Sequence, residues 1–222
     1  MKRKQRGFSL LELLMVVLLL TIVVAAVFSQ IERAQVRYRV EDQKLDLTQQ
    51  EREFIDQFTR DMHQAGYPSP TLYGTQYDLT SQFTAAGIWY VSDTEVHMEG
   101  DVDGDGIVDE VVYTYVGGNA PCPCLRRSST PKVAGLLPSA QVAGTTYTQV
   151  ENLVPINGTP VFAAYDAGGN QVSGSVASVN NNGLKNIKSI RITLTTQGVT
   201  KDNDLKKDIQ VTMTGMARLV NN

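Results

Sequence analysis

The sequence predicts an α+β protein, with one long N-terminal helix followed by a head built on an antiparallel β-sheet. Three observations support this prediction. Residues 8–28 form an almost unbroken apolar run, and residues 29–65 continue it with polar, helix-forming residues and neither proline nor glycine. After residue 87, short stretches alternate apolar and polar side chains and are separated by turn residues. Helical periodicity followed by two-residue periodicity indicates a helix that precedes strands.

The apolar run is long enough to cross a membrane. It is interrupted only by Glu12 and by the small polar residues Ser9 and Thr21. About twenty residues, at a rise of ~1.5 Å each, span a hydrocarbon core of ~30 Å. Four basic residues stand before it: Lys2, Arg3, Lys4 and Arg6. Because such cations remain in the cytoplasm, the rest of the chain is expected outside it.

Glu12 is the unusual residue of this segment, because a carboxylate inside a membrane span is costly and usually functional. Two ordinary interpretations compete with a functional one. A secretory signal would be cleaved near residues 24–26, but its apolar core is usually only ~7–15 residues long. A simple anchor helix would place Glu12 near the membrane interface. Neither interpretation explains why the four basic residues, Gly7, Phe8 and Glu12 occur together.

The string GFSLLE at residues 7–12 resembles the class III leader of type IV pilins and pseudopilins. The resemblance implies that a prepilin peptidase cleaves after Gly7 and that the new N-terminal Phe8 is N-methylated. It also implies that Glu12, fifth in the mature chain, pairs with the N-terminal ammonium of a neighbouring subunit. The expected divisions are a leader at 1–7, a transmembrane half-helix at 8–28, an amphipathic half-helix at 29–66 and a β-rich head at 67–222.

The second half of the predicted helix has one apolar stripe. Its members recur at spacings of three, four and seven residues, and they are Leu47, Phe54, Ile55, Phe58 and Met62. Gly66 fits a left-handed helix cap, and Pro68 and Pro70 prevent continuation. The string FTRDMHQAGY at residues 58–67 resembles the helix end of PilW-like minor pilins and of the minor pseudopilin GspJ. The resemblance implies a pilin-like fold with the helix packed on the sheet.

Seven segments are predicted as strands: residues 88–91, 94–98, 110–116, 150–154, 160–166, 187–196 and 208–219. The last two are expected to form a closing antiparallel pair. Residues 67–87 are predicted as a loop, and residues 117–149, rich in proline, serine and threonine, as mostly irregular. The order of the late segments also resembles PilW-like proteins.

The string DVDGDGIVD at residues 101–109 has the spacing of a wrapped Ca²⁺ loop. Asp101, Asp103, Asp105 and Asp109 would supply carboxylate oxygens, and Ile107 a backbone carbonyl. Position twelve is Val112, so the loop is not a complete EF-hand, and it resembles calcium loops between strands. A solvated acidic turn is the ordinary alternative. Four carboxylates within nine residues repel one another without a cation, which favours a structural Ca²⁺.

Cys122 and Cys124 are the only cysteines. An extracytoplasmic location permits a disulfide, although a bond across one residue closes a small ring. A local disulfide, free thiols and an intermolecular bridge all remain open at this point. A zinc site is disfavoured, because no other ligands stand at a recognisable spacing.

The charge of the chain argues against nucleic acid as a partner, and its motifs argue against catalysis. Without residues 1–7, 16 basic and 23 acidic residues remain, a formal charge of −7. An acidic head is unsuited to binding the phosphate backbone of nucleic acid, and Arg126 with Arg127 makes only a small basic patch. His63 is expected on the helix surface and His97 in a strand. No nucleophile, base and orienting group can be assembled, so the chain is predicted not to be an enzyme.

The resemblance to PilW-like proteins implies a minor type IV pilin that helps initiate or cap pilus assembly. Its expected partners are other major and minor pilins, the prepilin peptidase and the inner membrane. The head would be extracytoplasmic before assembly and on the pilus or cell surface afterwards. Two alternatives remain: a minor pseudopilin of type II secretion, and a tip adhesin or other binding module that uses residues 117–149 as its contact surface.

Overall fold

The structure is a computed structural model that describes residues 9–69, 79–118, 122–154, 158–172, 186–202 and 207–221, with the backbone alone at 200–202. Within these ranges one long helix precedes nine strands, which form two antiparallel sheets. The predicted α+β fold, a long N-terminal helix packed on an antiparallel β-rich head, is confirmed. Gly7 and Phe8, the predicted cleavage and methylation residues, lie outside the described residues.

The helix α1 runs over Leu10–Gln64, which is 55 residues. Its N-terminal half is exposed on all sides, and α1 is the one helix of the described chain that is long and apolar enough to span a membrane. Its C-terminal half buries the predicted stripe, with Phe58 and Met62 fully inaccessible. Gly66 follows in the left-handed region, at φ 81°, which fits the predicted cap.

The first sheet has five strands in the order β1-β2-β3-β4-β5. They are β1 Gly87–Val91, β2 Glu95–Gly100, β3 Asp109–Val116, β4 Cys124–Pro131 and β5 Tyr147–Glu151. Every neighbouring pair is antiparallel. Alternate residues of each strand point to opposite faces, so one face turns Met98, Val111, Tyr113 and Leu125 into the core. The other face carries polar and charged residues.

The second sheet has four strands in the order β7-β6-β8-β9. They are β6 Phe162–Asp166, β7 Gln171–Val172, β8 Ile187–Asp202 and β9 Lys207–Arg218. β8 and β9 pair in antiparallel register from Ser189 with Arg218 onwards, which confirms the predicted closing pair. A bridge between Leu153 and Thr196 links the segment after β5 to β8, so the two sheets share one core.

The core lies where α1 meets both sheets. The rings of Phe58 and Tyr113 are 5.2 Å apart, and those of Phe58 and Phe162 are 5.8 Å apart. The helix also approaches β9 very closely, since a Cβ added at Gly215 would stand 2.4 Å from Cγ2 of Ile55. Glycine at this position therefore permits α1 to lie directly on β9.

The prediction that residues 117–149 are mostly irregular was wrong for 124–131. This segment is β4, an inner strand with β3 on one side and β5 on the other. Its sequence, CLRRSSTP, lacks strong strand formers, and two ladders of backbone hydrogen bonds offset that weakness. Strand β5 also begins earlier than predicted, at Tyr147, and ends at Glu151. The remaining part, 132–146, is irregular apart from a 3₁₀ turn over Pro138–Ala140.

Candidate functional site: the N-terminal helix and the acidic loop

Glu12 lies in the first turn of α1, and its backbone N–H donates to the Ser9 carbonyl at 3.0 Å. The side chain is exposed, as are all the apolar side chains around it. Anchoring this half of α1 therefore requires lipid or other apolar helices. In such surroundings the Glu12 carboxylate needs a cationic partner.

The acidic loop, residues 101–109, connects β2 to the start of β3. Gly104 and Gly106 adopt φ values of 80° and 86°, which bend the chain around its own carboxylates. Asp101 accepts hydrogen bonds from the N–H groups of these two glycines, at 2.8 and 3.1 Å. Oxygens of three carboxylates lie within 4.8 Å of one another and could hold a metal ion; they belong to Asp101, Asp103 and Asp105.

Asp109 adds a fourth carboxylate at the base of the loop. It is only 6% exposed, and its Oδ2 has no hydrogen-bond partner in the described part of the chain. Burial raises the pKa of Asp109 to about 6, and the charges of Asp103 and Asp105 add to that effect. The structure thus brings together three of the four carboxylates that the spacing predicted, and Asp109 is near enough for their charges to affect its pKa. The Ile107 carbonyl stays a predicted ligand.

The acidic loop is joined by backbone hydrogen bonds to three other segments. The Val108 N–H donates to the Gln82 carbonyl at 2.9 Å, and the Val108 carbonyl accepts from the Lys132 N–H at 2.7 Å. The Asp101 N–H donates to the Tyr67 carbonyl, just after α1, at 2.9 Å. These hydrogen bonds attach the loop to the end of the helix and to the two segments around Gln82 and Lys132.

Asp61 lies on the buried face of α1, between Phe58 and Met62, and pairs with Arg127. The Arg127 Nε donates to Asp61 Oδ2 at 2.8 Å, and the Tyr113 hydroxyl donates to the same oxygen at 2.5 Å. Burial and the Asp61 charge raise the pKa of Tyr113 well above its usual value. Arg127 thus turns toward the helix and away from Arg126, so it does not contribute to the small basic patch that the sequence suggested. The sequence did carry a sign of this buried pair, namely the acidic Asp61 between apolar residues of the helix stripe.

A second buried ion pair lies on the outer face of the five-stranded sheet. Lys132 Nζ and Glu99 Oε2 are 2.6 Å apart, and both side chains are inaccessible to solvent. Burial raises the pKa of Glu99 to about 7, although the Lys132 charge acts in the opposite direction. Beside it, Glu110 accepts from the Trp89 indole at 3.0 Å and contacts His97 at 3.3 Å. Glu110 is thus engaged away from the acidic loop.

Glu51 is buried between α1 and β8. Its Oε1 accepts from the Thr196 N–H and hydroxyl at 3.2 and 2.9 Å, whereas its Oε2 has no partner among the described residues. Burial raises the pKa of Glu51 from 4.5 to about 7. The folded protein therefore holds a proton at Glu51 that the unfolded chain has already released near neutral pH.

This proton makes the helix–sheet contact sensitive to pH. Between about pH 4.5 and 7 the folded state binds more protons at Glu51 than the unfolded state, so its contribution to stability falls as pH rises. Glu51→Gln is expected to remove that part of the pH dependence and to raise the free energy of unfolding at pH 8 by on the order of 2 kcal/mol. Denaturant unfolding at pH 5 and pH 8 measures it. Glu53→Gln, an exposed change on the same helix, should leave the slope unaltered.

The two cysteines form a disulfide in the structure, between Cys122 and Cys124. Both residues are buried at the start of β4, and the Arg126 guanidinium contacts Cys122 Sγ at 3.7 Å. Of the possibilities that the sequence left open, the structure therefore contains the local bond. Both cysteines are therefore shielded from solvent, one just before β4 and the other at its first residue.

Comparison with known proteins supports the reading of the N-terminus. A family model described as "Prokaryotic N-terminal methylation motif" matches residues 2–28. No curated protein and no solved structure matched the chain. The family that carries this motif is structural, and the motif implies contact with other pilins and with the prepilin peptidase. Together with the membrane-length helix and the β-rich head, this motif indicates a type IV pilin-like or pseudopilin protein.

Proposed function

We propose that this protein is a minor type IV pilin, PilW-like, that helps initiate or cap pilus assembly. The observation that carries the proposal is the division of α1. One half bears the methylation motif and is exposed on every side, whereas the other half packs one face against the head. Such a chain resides in the inner membrane with its head outside, and its free half-helix packs with other subunits when it leaves the lipid.

Glu12 would direct this packing. Its carboxylate stands fifth after the predicted cleavage site, and a neighbour's N-terminal ammonium would neutralise it in apolar surroundings. A pair of opposite charges in a medium of low dielectric is favourable only at short range and in one register. The pairing would thus select the position at which a subunit joins the filament.

The proposal is tested in a strain from which the gene for this chain has been deleted. Surface pili are counted by electron microscopy while type II secretion is assayed in parallel. We expect loss of pili with intact secretion, restored by the wild-type chain and by Glu32→Ala but not by Glu12→Ala. Glu32 is an exposed acid on the same helix beyond the apolar run, so it controls for charge removal. Normal pili in the Glu12→Ala strain would refute the pairing.

The same experiment separates the alternatives. Normal pili with failed secretion would assign the protein to a pseudopilus. A tip adhesin is favoured by one observation: the loop at 132–146 exposes apolar side chains, including Leu137 and Val142 at 52% and 79%. The contact surface of such an adhesin would be this loop and not the whole of 117–149. Attachment that persists after polar replacement of Leu137 and Val142, with pili present, would exclude it.

We further propose that the acidic loop binds Ca²⁺ in a structural role. Hard oxygen donors suit this ion, and the unpartnered Oδ2 of Asp109 supplies an orphaned buried oxygen beside the three loop carboxylates. The ligands would be the carboxylates of Asp101, Asp103, Asp105 and Asp109 together with the Ile107 carbonyl. Bound Ca²⁺ would offset the mutual repulsion of these carboxylates.

Calcium is therefore expected to stabilise the full-length protein in detergent. At 100 times the dissociation constant the gain is about 2.7 kcal/mol, seen as a higher Tm than in chelator. Asp105→Asn should abolish most of this shift. Asp166→Asn is the matched control, because Asp166 also accepts backbone N–H groups in a glycine turn but lies elsewhere in the head. An equal Tm in calcium and in chelator would contradict the proposal.

A further inference from the structure

His97 lies on the outer face of the five-stranded sheet, with a carboxylate against each of its two ring nitrogens. Its Nε2 is 3.0 Å from Glu95 Oε1, and its Nδ1 is 3.3 Å from Glu110 Oε1. The His97 side chain is 17% exposed and that of Glu110 is 3% exposed. The ring is therefore held between two acids in a part of the head that is largely shielded from solvent.

These two contacts favour one protonation state of the ring. A neutral imidazole carries one N–H donor and one acceptor nitrogen, and an ionised carboxylate can only accept. A neutral His97 could thus donate to one glutamate, while its other nitrogen would face the lone pairs of the second. The imidazolium ion carries two N–H donors, so it satisfies both contacts with charge-assisted hydrogen bonds. With both carboxylates ionised, the geometry calls for a proton on each nitrogen of His97.

Each carboxylate has a further hydrogen-bond donor, which favours its ionised form. Glu95 Oε1 accepts from the Thr114 hydroxyl at 3.3 Å, and Glu110 Oε2 accepts from the Trp89 indole at 3.0 Å. Burial raises the pKa of Glu110, and its hydrogen bonds with His97 and Trp89 oppose that rise. Burial by itself lowers the pKa of His97, but its hydrogen bonds to Glu110 and Glu95 outweigh that effect and raise the pKa above 6.5.

The charged groups around His97 leave this face negative. Four elements contribute titratable side chains: Tyr90 from β1, Glu95 and Glu99 from β2, Glu110 from β3, and Lys132 from the segment after β4. The three acids and the lysine together carry a charge of −2, which the imidazolium reduces to −1. Arg126 of β4 lies further along, opposite Thr114, where its guanidinium contacts Cys122 Sγ. The balance of charge therefore also favours a proton on His97.

A β-bulge in β1 packs two aromatic rings against this site. The register shifts between Ile88, which is opposite Met98, and Tyr90, which is opposite His97, so that Trp89 is the extra residue. Successive side chains of a regular strand point to opposite faces, whereas a bulge re-aims a side chain. The rings of Trp89 and Tyr90 lie 4.5 and 5.0 Å from the imidazole. These contacts connect the edge strand β1 to His97.

We propose that His97 is a proton-binding site of the head, whose imidazolium form locks β1 and β3 to β2 and whose neutral form loosens that lock. Without the proton, one of the two hydrogen bonds is lost, and Trp89 and the edge strand are held less firmly. The head thereby responds to the pH of its surroundings. This inference goes beyond the proposed function and does not depend on it.

The direction of the pH dependence follows from linkage. The folded state holds the His97 proton more tightly than the unfolded chain does, because the unfolded chain lacks the two flanking carboxylates. The contribution of this site to stability is therefore complete below about pH 6.5. It is lost as the pH rises above that value and through the higher pKa of the folded state.

Nitrogen NMR of the full-length protein in detergent measures the site. The chain has two histidines, so a protein with ¹⁵N-labelled histidine and the change His63→Gln gives ring signals from His97 alone. We expect both ring nitrogens to be predominantly protonated at about pH 6.5, and the midpoint of deprotonation to lie above that of the same chain in denaturant. Glu95→Gln should lower the folded-state midpoint. Glu151→Gln is the matched control, because Glu151 is an exposed acid on β5, at the other edge of the sheet.

Trp89 is the one tryptophan of the chain, so its fluorescence reports the lock. We expect its emission to move to longer wavelengths, as water reaches the indole, with the same midpoint as the NMR titration. His97→Gln should abolish this transition while leaving the protein folded at pH 6, as judged by circular dichroism. Pilus counts in the same strain form a separate readout, which the proposed function decides through Glu12.

Each result decides one part of the proposal. A His97 ring with one protonated nitrogen at about pH 6.5, or a midpoint no higher than in the unfolded chain, would overturn the proton site. Equal midpoints in Glu95→Gln and Glu151→Gln would overturn the role of the flanking acid. A raised midpoint without any change in Trp89 emission would overturn the lock.

Discussion

Replacing Arg127 by methionine is expected to destabilise the head by about 3–5 kcal/mol, because it leaves a buried carboxylate without its cation. Asp61 is the residue left behind, with a side chain that is only 3% exposed. The Tyr113 hydroxyl and the Gln57 side-chain amide still donate to it, but these two neutral donors do not replace the positive charge of the guanidinium. Denaturant unfolding of the full-length protein in detergent measures the loss.

Two variants separate charge burial from simple loss of packing. Arg126→Met changes the neighbouring residue, which lies on the opposite face of β4, and should have a small effect. Asp61→Asn combined with Arg127→Met removes both charges and should recover most of the loss, because no unpaired buried charge remains. A double variant as unstable as Arg127→Met alone would show that the arginine acts through its packing instead.

Replacing Lys132 by methionine should have an effect of similar size, about 3–5 kcal/mol, at the other side of the sheet. Lys132 and Glu99 are both fully inaccessible, and Lys132 Nζ also donates to the Thr84 carbonyl at 3.0 Å. The variant thus leaves the buried Glu99 carboxylate without its cation and also removes the hydrogen bond from Lys132 to the Thr84 carbonyl. Thermal unfolding at pH 8 measures it, with the exposed change Lys44→Met as the control.

The partner variant gives this prediction its sharpest test. Glu99→Gln with Lys132→Met should be closer to wild type than Lys132→Met alone, since the stranded charge is removed. The recovery should be incomplete, because the Ala86 N–H, which donates to Glu99 Oε2 at 2.9 Å, then bonds to a neutral amide group. A single variant within 1 kcal/mol or so of wild type would mean that the pair adds little net stability.

The sequence by itself determined the features that depend on local pattern. The apolar run, the stripe that includes Phe58 and Met62, and the cap at Gly66 together predicted α1 nearly residue by residue. The alternation in the last two strands predicted the β8–β9 pair. The spacing at 101–109 predicted the three carboxylates that converge, because a short loop brings its own residues together whatever the rest of the chain does.

Only the tertiary structure decided the features that depend on distant partners. β4 is a strand because β3 and β5 flank it. Arg127 is half-buried because it pairs with Asp61, which lies on the helix 66 residues earlier in the chain. The burial of Glu51 and Lys132 likewise depends on residues that pack against them from distant parts of the chain, which a local sequence pattern does not identify. Local periodicity is set by backbone geometry, whereas the burial of a charge is set by whatever packs against it.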